Sequence, residues 1–413
     1  MSIQSFTLKN YRSFVDRTTI ELRPLTLLFG YNNSGKSALL RALPFIVDSL
    51  KEQPRSPLAL NSPAIRGSHF SDLLSHISGT QEFDIELSIF KYNFKWTIRH
   101  LPELKTHVVS HYYFKTYLRT VNAQWLAKPL KQKEEYDVQV NNDDIYRDKL
   151  YFYGLLADDD NNASIATDMK TEMASDMYND SFHVQWLTSL RKSPLRHNPF
   201  KGDATPEYIE PDGRGAAEIL AYDSIYEELL ILPKVSSWYE KNLQQKLVVE
   251  EMVEHFQIKL QRLTNSPCKV NIVDVGEGLI QVLPVLVACA MASEGDTNML
   301  AIEEPESHLH PRLHAALAEH FFELARQDEP PKVLLETHSE NFLLRTQLEI
   351  ARGKLDPELV MVYWVRQLDD GRSIAEPVVF DSKGRPQGEW PRDVFYTDIE
   401  LSRQLVQERR KHL

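Results

Sequence analysis

The feature that most constrains the fold of this chain is a loop near its beginning, residues 30–37, which reads GYNNSGKS. Its form, G-x-x-x-x-G-K-S, is that of a phosphate-binding loop. The apolar run 25–29 before it has the pattern of a strand, and residues 38–43 after it have the pattern of a helix. Because this motif is meaningful only between a strand and a helix, its setting predicts a polyphosphate-binding site rather than a chance glycine-containing loop.

Each part of this loop has a predicted task. The two glycines let the backbone approach a polyphosphate, and amide groups at the start of the helix point at the anion along the helix dipole. The lysine adds a positive charge at the β- and γ-phosphates of ATP, and the last serine adds a hydroxyl ligand for Mg²⁺. The predicted nucleotide-binding residues of the loop are Gly30, Asn32, Asn33, Ser34, Gly35, Lys36 and Ser37.

A second element carries acidic residues at the end of an apolar run. Residues 299–302 read MLAI, and Glu303 and Glu304 follow directly. A strand that delivers acids at its carboxyl end, beside the phosphate loop, is typical of a Walker B element. Glu303 is therefore predicted to hold Mg²⁺, and Glu304 to act as the general base toward water. The alternative is an exposed acidic loop after a strand.

Histidines follow the acidic pair. His308, His310 and His314 raise a zinc alternative, which the lack of a nearby cysteine disfavours. A further apolar run, 333–335, ends at the sequence ETHS, in which His338 lies just beyond the strand. A histidine at the end of a strand next to Walker B is predicted to reach the γ-phosphate; the alternative is a structural histidine.

Composition limits the class of protein. The 413 residues have 42% apolar side chains, which is enough for a large α/β body with an insertion. The net charge of −12 argues against a cation-coated surface for indiscriminate DNA binding. Two cysteines and no signal-peptide pattern predict a cytoplasmic protein, and the apolar run 283–292 is too short to span a membrane. Two local basic clusters are interpreted as solvated surface or, alternatively, as DNA-binding patches: Arg191, Lys192, Arg196 and Lys201; Arg403, Arg409, Arg410 and Lys411.

Patterns along the chain predict its organisation. Residues 1–100 alternate as strands do, and Pro44 is expected to kink or end the first helix. The acidic stretch 131–180 is expected to form a surface insertion of turns and loops, and residues 215–263 show helical periodicity. Residues 269–380 alternate between strand and helix patterns, which predicts a mostly parallel sheet.

Together these residues resemble the ABC-type ATPase heads of the RecF, SMC and OLD-like group within the AAA-family ATPases. Residues 6–14, FTLKNYRSF, are similar to the first strand and turn of that group. Residues 302–311, IEEPESHLHP, resemble its Walker B element and D-loop, and residues 336–339 resemble its switch histidine. The segment 362–391 resembles the C-terminal DUF3696 region of one bacterial branch.

The resemblance implies an α/β P-loop NTPase fold of ABC/SMC-head type, with a mixed central sheet, an antiparallel β subdomain and a helical insertion. The expected regions are an N-terminal ATPase lobe (1–100), an insertion or helical region (101–270), a C-terminal ATPase lobe (271–380) and a tail (381–413). It also implies a homodimer or higher oligomer of heads that sandwich two ATP molecules. Gly276 and Gly278 would then form a signature-like element facing the partner's nucleotide, although Ile280 stands where relatives carry serine. By the same analogy Arg12 approaches the nucleotide, and residues 70–74 contain the Q-loop.

Three functions follow from this resemblance. The favoured one is the ATPase or sensor subunit of a bacterial anti-phage defence complex that acts with a separate effector such as a nuclease. The second is a RecF-like recombination or repair ATPase with DNA as its ligand. The third, the ATPase of a membrane transporter, is disfavoured because no L-S-G-G-Q signature occurs, and no membrane partner is expected.

Overall fold

The computed structural model describes most of the chain. The described residues are 3–51, 53, 56–127, 134–141, 143–159, 183–200, 206–226, 228–264, 268–390 and 403–404. Much of the predicted acidic insertion and the basic residues at 201 and 409–411 lie outside them. Within the described part, three β-sheets and seven α-helices surround two hydrophobic cores.

The largest sheet is antiparallel throughout, and its spatial order is β10-β9-β8-β7-β6-β5-β4-β1-β2. Strands such as Glu82–Ile89 alternate half-buried and buried side chains, because one face packs on the core. The strands are β1 (Ile3–Lys9), β2 (Thr18–Glu21), β4 (Glu82–Ile89), β5 (Tyr92–Leu101), β6 (Thr106–Lys115), β7 (Thr120–Trp125), β8 (Glu135–Val140), β9 (Tyr146–Phe152) and β10 (Ala157–Asp159).

The second sheet is mixed, in the order β11-β16-β17-β3-β18-β19-β20. Its first five strands are parallel, and the last two pairings are antiparallel. Its central strands are buried on both faces, which is why they read as continuous apolar runs. The strands are β3 (Leu25–Gly30), β11 (Val184–Leu187), β16 (Met299–Glu303), β17 (Lys332–Thr337), β18 (Val360–Gln367), β19 (Ser373–Phe380) and β20 (Pro386–Gln387).

A small antiparallel sheet and the helices complete the fold. The small sheet contains β12 (Asn198–Pro199), β13 (Gln245–Glu251), β14 (His255–Arg262) and β15 (Lys269–Asn271). The helices are α1 (Lys36–Leu50), α2 (Phe70–Leu73), α3 (Ala216–Ile225), α4 (Leu232–Leu243), α5 (Glu277–Glu294), α6 (Pro311–Ala325) and α7 (Glu340–Ala351).

Helix α1 lies between the two large sheets. Its apolar side chains share one core with the antiparallel sheet and with one face of the mixed sheet. The other face of the mixed sheet is covered by α3 to α7, which form the second core. Helix α5 is apolar and long enough to cross a membrane by composition, but 78% of its window is buried inside the fold. It is therefore a core helix.

Of the two outcomes expected at Pro44, a kink or the end of the first helix, the second is wrong. Helix α1 continues through Pro44 to Leu50. A proline inside a helix costs about 3 kcal/mol because it removes one backbone hydrogen bond. Burial of Leu43, Phe45 and Ile46 on either side of it holds the helical path against that cost.

The helical interpretation of the middle of the chain is wrong in two places. Residues 106–159 add five strands to the antiparallel sheet, where we expected loops and helix. Helical structure after Gly215 ends at Leu243, and residues 245–262 form a hairpin instead. In both places the residues pair with a neighbouring strand, and in β7 this pairing buries alternate side chains such as Val121 and Ala123. The free energy gained by this packing outweighs the local sequence preference.

Candidate nucleotide-binding site

The strand order brings the predicted site together. Strand β17 lies between β3 and β16 and is parallel to both. The carboxyl ends of these strands therefore meet at one edge, and that edge carries the phosphate loop after β3, the acidic pair after β16 and ETHS at the end of β17. This adjacency is the arrangement that the sequence required of a nucleotide site.

The phosphate loop packs against the turn at residues 10–14, which follows β1. Gly35 has φ +101°, a backbone conformation that favours glycine, and a Cβ there would lie 2.9 Å from the ring of Phe14. Helix α1 begins at the next residue. The ammonium of Lys36 is buried and donates to the carbonyl of Tyr31 at 2.7 Å, so it lies within the curve of the loop. Asn32 and Asn33 are exposed and Ser34 is buried.

An acidic residue that the sequence analysis did not select contacts the loop serine. The hydroxyl of Ser37 donates to Oε1 of Glu336 at 2.8 Å, while Oε2 of the same carboxylate is buried without a partner in the described structure. Burial raises the pKa of Glu336 to about 7, with a further contribution from Glu303 and Glu304. The sequence did contain a signal for Glu336: it lies at the carboxyl end of an apolar strand, the same feature that led us to select Glu303.

Glu303 lies elsewhere than predicted. Both of its carboxylate oxygens accept from the guanidinium of Arg41, each at 2.6 Å, and Oε1 also accepts from the indole of Trp186 at 3.3 Å. A bidentate pair with arginine is the strong form of a charge-assisted hydrogen bond. The carboxylate that contacts Ser37 is that of Glu336, where we expected Glu303, which is engaged by Arg41 instead.

Glu304 and His338 face each other across the edge of the sheet. Nε2 of His338 lies 3.9 Å from Oε1 of Glu304, and burial lowers the pKa of His338. Glu304, Glu336 and His338 each offer a ligand atom, and these atoms lie within 4.8 Å of one another. The geometry thus brings both predicted catalytic residues to the sheet edge that carries the phosphate loop.

The third acid of the EEPE sequence has a structural task. Glu306 is buried and accepts from the hydroxyl of Thr337 at 2.6 Å and from the backbone amide of His338 at 3.0 Å. Burial raises its pKa. Two of the histidines of the zinc alternative also have structural partners: His314 contacts Ser339 and a carbonyl, and His310 caps α6. The described residues give the zinc alternative no support.

The resemblance also implied that Arg12 and the signature-like glycines belong to the site. The guanidinium of Arg12 donates to Ser68 at 3.2 Å, and its turn reaches the phosphate loop through Phe14. Gly276 is exposed at the start of α5, whereas a Cβ on Gly278 would meet the carbonyl of His308 at 2.3 Å. The second glycine therefore serves close packing within the chain, and the first faces outward.

The basic cluster near residue 191 is not an open cationic surface. Lys192 pairs with Asp212 at 2.9 Å, and Arg196 pairs with Asp274. Arg191 is buried, with 4% of its surface exposed, and donates to backbone carbonyls. Lys192 and Arg196 are exposed, but each already pairs with one carboxylate of the same chain. The burial of Arg191 corrects its interpretation as solvated or DNA-binding.

A mixed sheet with this strand order, a phosphate loop, and acids and a histidine at the ends of the two adjacent strands define a P-loop ATPase. Comparison with known families agrees. Residues 1–95 match the family described as "AAA ATPase domain", and residues 240–345 match "AAA domain, putative AbiEii toxin, Type IV TA system". The protein is an ATPase, and two of its segments match AAA ATPase families. No curated protein matches the chain.

Solved structures with a similar fold include three SMC heads. An SMC head bound to the C-terminal winged-helix domain of ScpA is 12% identical, with a TM-score of 0.48, over 92% of this chain and 98% of that one. The SMC head domain of Thermotoga maritima is 10% identical, with a TM-score of 0.44, over 92% and 100%. An SMC head with an extended coiled coil, bound to the C-terminal domain of ScpA derived from Pyrococcus furiosus, is 10% identical, with a TM-score of 0.46, over 99% and 99%. The class assignment rests on the strand order, the site and the two family matches.

The raised pKa of Glu336 predicts a pH-dependent cost to stability. Its folded pKa of about 7 lies above the ordinary value of 4.5, so the folded protein loses stability as pH rises between these values. Glu336→Gln is expected to raise the free energy of unfolding at pH 8 by about 3 kcal/mol at most, with little change at pH 4.5. Denaturant unfolding of the nucleotide-free protein at both pH values measures this. Glu358→Gln, at an exposed acid, is the control, and an equal effect of Glu336→Gln at both pH values contradicts the prediction.

Proposed function

We propose that the chain binds ATP with Mg²⁺ at this edge of the sheet and hydrolyses it to ADP and phosphate. The observation that carries the proposal is the contact between Ser37 and Glu336, with Glu304 and His338 beside it. Several carboxylates surround one buried lysine here, so an anionic triphosphate requires a divalent cation to enter. The unpartnered Oε2 of Glu336 and the hydroxyl of Ser37 are hard oxygen donors that suit Mg²⁺.

The residues divide the chemistry among them. The loop amides and Lys36 hold the β- and γ-phosphates, and Ser37 and Glu336 hold the metal, which neutralises charge on the phosphate oxygens when bound. Glu304 accepts the proton of the attacking water, and His338 donates a hydrogen bond to the γ-phosphate. Burial lowers the pKa of His338 and so favours the neutral imidazole, which still has one N–H group to donate.

The choice of metal ligand can be tested with a pair of variants. Glu336→Gln is expected to lower the affinity for the metal by about tenfold or more, because the charged ligand at Ser37 is lost. Glu303→Gln is expected to leave metal affinity close to that of the parent and to lower thermal stability, since it breaks the pair with Arg41. Mn²⁺ binding followed by electron paramagnetic resonance, with a non-hydrolysable ATP analogue, measures both. The reverse result would restore Glu303 as the ligand.

We further propose that two copies assemble head to head around ATP. Gly276 is exposed at the amino end of α5, where the following amides and the helix dipole favour an anion. Ile280 is buried, so it does not supply the contact that a serine would make with the partner's nucleotide. A signature element without that hydroxyl supports slow turnover, with ATP serving mainly to hold two heads together.

In the cell we propose a cytoplasmic ATPase or sensor subunit of an anti-phage defence complex, with a separate effector such as a nuclease. The description of the family that matches residues 240–345 names a toxin of a toxin–antitoxin system. Such a system has two components, which supports the proposal that this chain acts with a second protein. Affinity purification of the tagged protein, with and without Glu304→Gln, tests the proposal. A nuclease that co-purifies with the ATP-trapped form supports it, whereas recombination proteins in its place support the RecF-like alternative.

The RecF-like alternative requires DNA contact. The net charge of −12 and the internal pairing of Lys192 and Arg196 give DNA little to bind in the described part of the chain. We therefore rank it second.

A further inference from the structure

Arg191 occupies an unusual position for a charged residue. It follows β11 in a loop, its side chain is almost fully buried, and its Nε has no hydrogen-bond partner in the described structure. Burial lowers its pKa to about 10, which leaves it charged at neutral pH. A buried cation is costly unless its contacts compensate for the lost water, so its partners indicate what it stabilises.

Those partners belong to the acidic pair and to α5. Nη2 donates to the backbone carbonyls of Glu303 and Glu304, and the second contact is 3.2 Å long. Nη1 donates to the carbonyl of Gln281 at 3.4 Å. The side-chain amide of Gln281 in turn bonds both the backbone amide and the backbone carbonyl of Arg191. One guanidinium thus joins the first turns of α5 to the end of the Walker B strand.

The backbone that Arg191 contacts is strained. Glu304 has φ +39°, in the left-handed region, which costs a residue with a side chain about 1–2 kcal/mol. Its amide donates to the carbonyl of Glu336 at 2.8 Å, and its own carbonyl also accepts from the amide of Ser307 at 3.0 Å. Such conformations persist only where surrounding contacts fix them. Arg191 supplies contacts on both carbonyls that flank the strained residue.

The chain of contacts extends to the exposed end of α5. Gln281 donates to Oε1 of Glu277 at 2.8 Å, and Glu277 is exposed next to Gly276. We propose that Arg191 is a positioning residue that couples the start of α5 to the backbone of Glu304, so that displacement of α5 re-aims the Glu304 carboxylate. This rests on the proposed function. Through this coupling, a contact between α5 of one subunit and a partner subunit changes the rate of ATP hydrolysis in the subunit to which α5 belongs.

The kinetic test uses substitutions of Arg191. Arg191→Met is expected to lower kcat for ATP hydrolysis by about ten- to a hundredfold, because a small misplacement of a base costs this much, while KM changes by less than about threefold. Arg191→Lys retains the charge and one donor group and is expected to recover part of kcat. Lys192→Met is the matched control, since its exposed side chain pairs only with Asp212 among the described contacts. A parental kcat in Arg191→Met, or a loss confined to KM, overturns the coupling.

Amide hydrogen exchange gives a second readout that does not require turnover. Exchange at the amides of Glu304 and Ser307 is expected to accelerate by about tenfold or more in Arg191→Met and to stay at the parental rate in Lys192→Met. If Arg191→Met does not fold, Gln281→Met and Arg191→Lys are measured in its place, and parental exchange and kcat in both overturn the proposal. A parent protein without ATPase activity would refute the proposed function, whereas the exchange result would still decide the link.

Discussion

An alanine in place of Lys36 is expected to lower the affinity for ATP by about a hundredfold or more. The ammonium lies within the curve of the phosphate loop and is held there by the carbonyl of Tyr31 at 2.7 Å. Two charge-assisted hydrogen bonds to phosphate, each worth about 1.5–3 kcal/mol, account for a loss of that size. Isothermal titration calorimetry with a non-hydrolysable ATP analogue and Mg²⁺ measures it.

The control variant lies at the opposite end of α1, the helix that begins at Lys36. Lys51 caps α1 at its carboxyl end, and its side chain is 58% exposed. Lys51→Ala changes the net charge by the same amount as Lys36→Ala but should leave nucleotide affinity unchanged. Equal affinity in the parent and in Lys36→Ala would refute the nucleotide site at this loop.

Glu304→Gln is expected to lower kcat by about 10²–10⁴-fold, the usual contribution of a general base, while ATP still binds. The amide cannot accept the proton of the attacking water, but Ser37 and Glu336, the proposed metal ligands, are untouched. Because ATP then persists between the heads, the variant should also accumulate as a dimer. Phosphate release gives the rate, and light scattering after size-exclusion chromatography gives the mass with ATP and with ADP.

The two readouts of this variant separate two claims. Hydrolysis at the parental rate would show that Glu304 is not the base. Lost hydrolysis without an ATP-dependent dimer would leave the base assignment intact and contradict the head-to-head assembly. The companion variant in the same assays is His338→Asn. The imidazole of His338 lies 3.9 Å from Glu304, and its replacement leaves the phosphate loop and the proposed metal ligands Ser37 and Glu336 unchanged.

The sequence predicted those parts of the fold whose evidence is local. A strand, a loop and a helix that follow one another predict the phosphate loop, and alternating apolar runs after residue 269 predict parallel strands. The predicted α/β fold with a mixed central sheet and an antiparallel β subdomain is confirmed. The extent of the antiparallel sheet was missed, because strands 106–159 are stabilised by pairing with neighbours rather than by strong local patterns.

Within the site, the missed assignments depend on contacts distant in sequence. Glu303 and Glu336 both end apolar strands, and the sequence does not determine which carboxylate turns toward Ser37. That choice is made by Arg41, which takes Glu303 from 262 positions away. The signal for Arg41 was a lone cation within the apolar stretch 38–43. Arg191 gave no such signal, since its burial depends on Gln281 and Glu303, which are 90 and 112 positions away.

The position of α1 between the two large sheets has a consequence for how the molecule melts. Its side chains belong to the core that joins the antiparallel sheet to the mixed sheet, and its first residue is Lys36. Neither layer can lose its packing without exposing this helix, so thermal disruption of the two should be a single cooperative event. A nucleotide seated at the amino end of α1 would thus raise the heat resistance of distant strands that it never contacts.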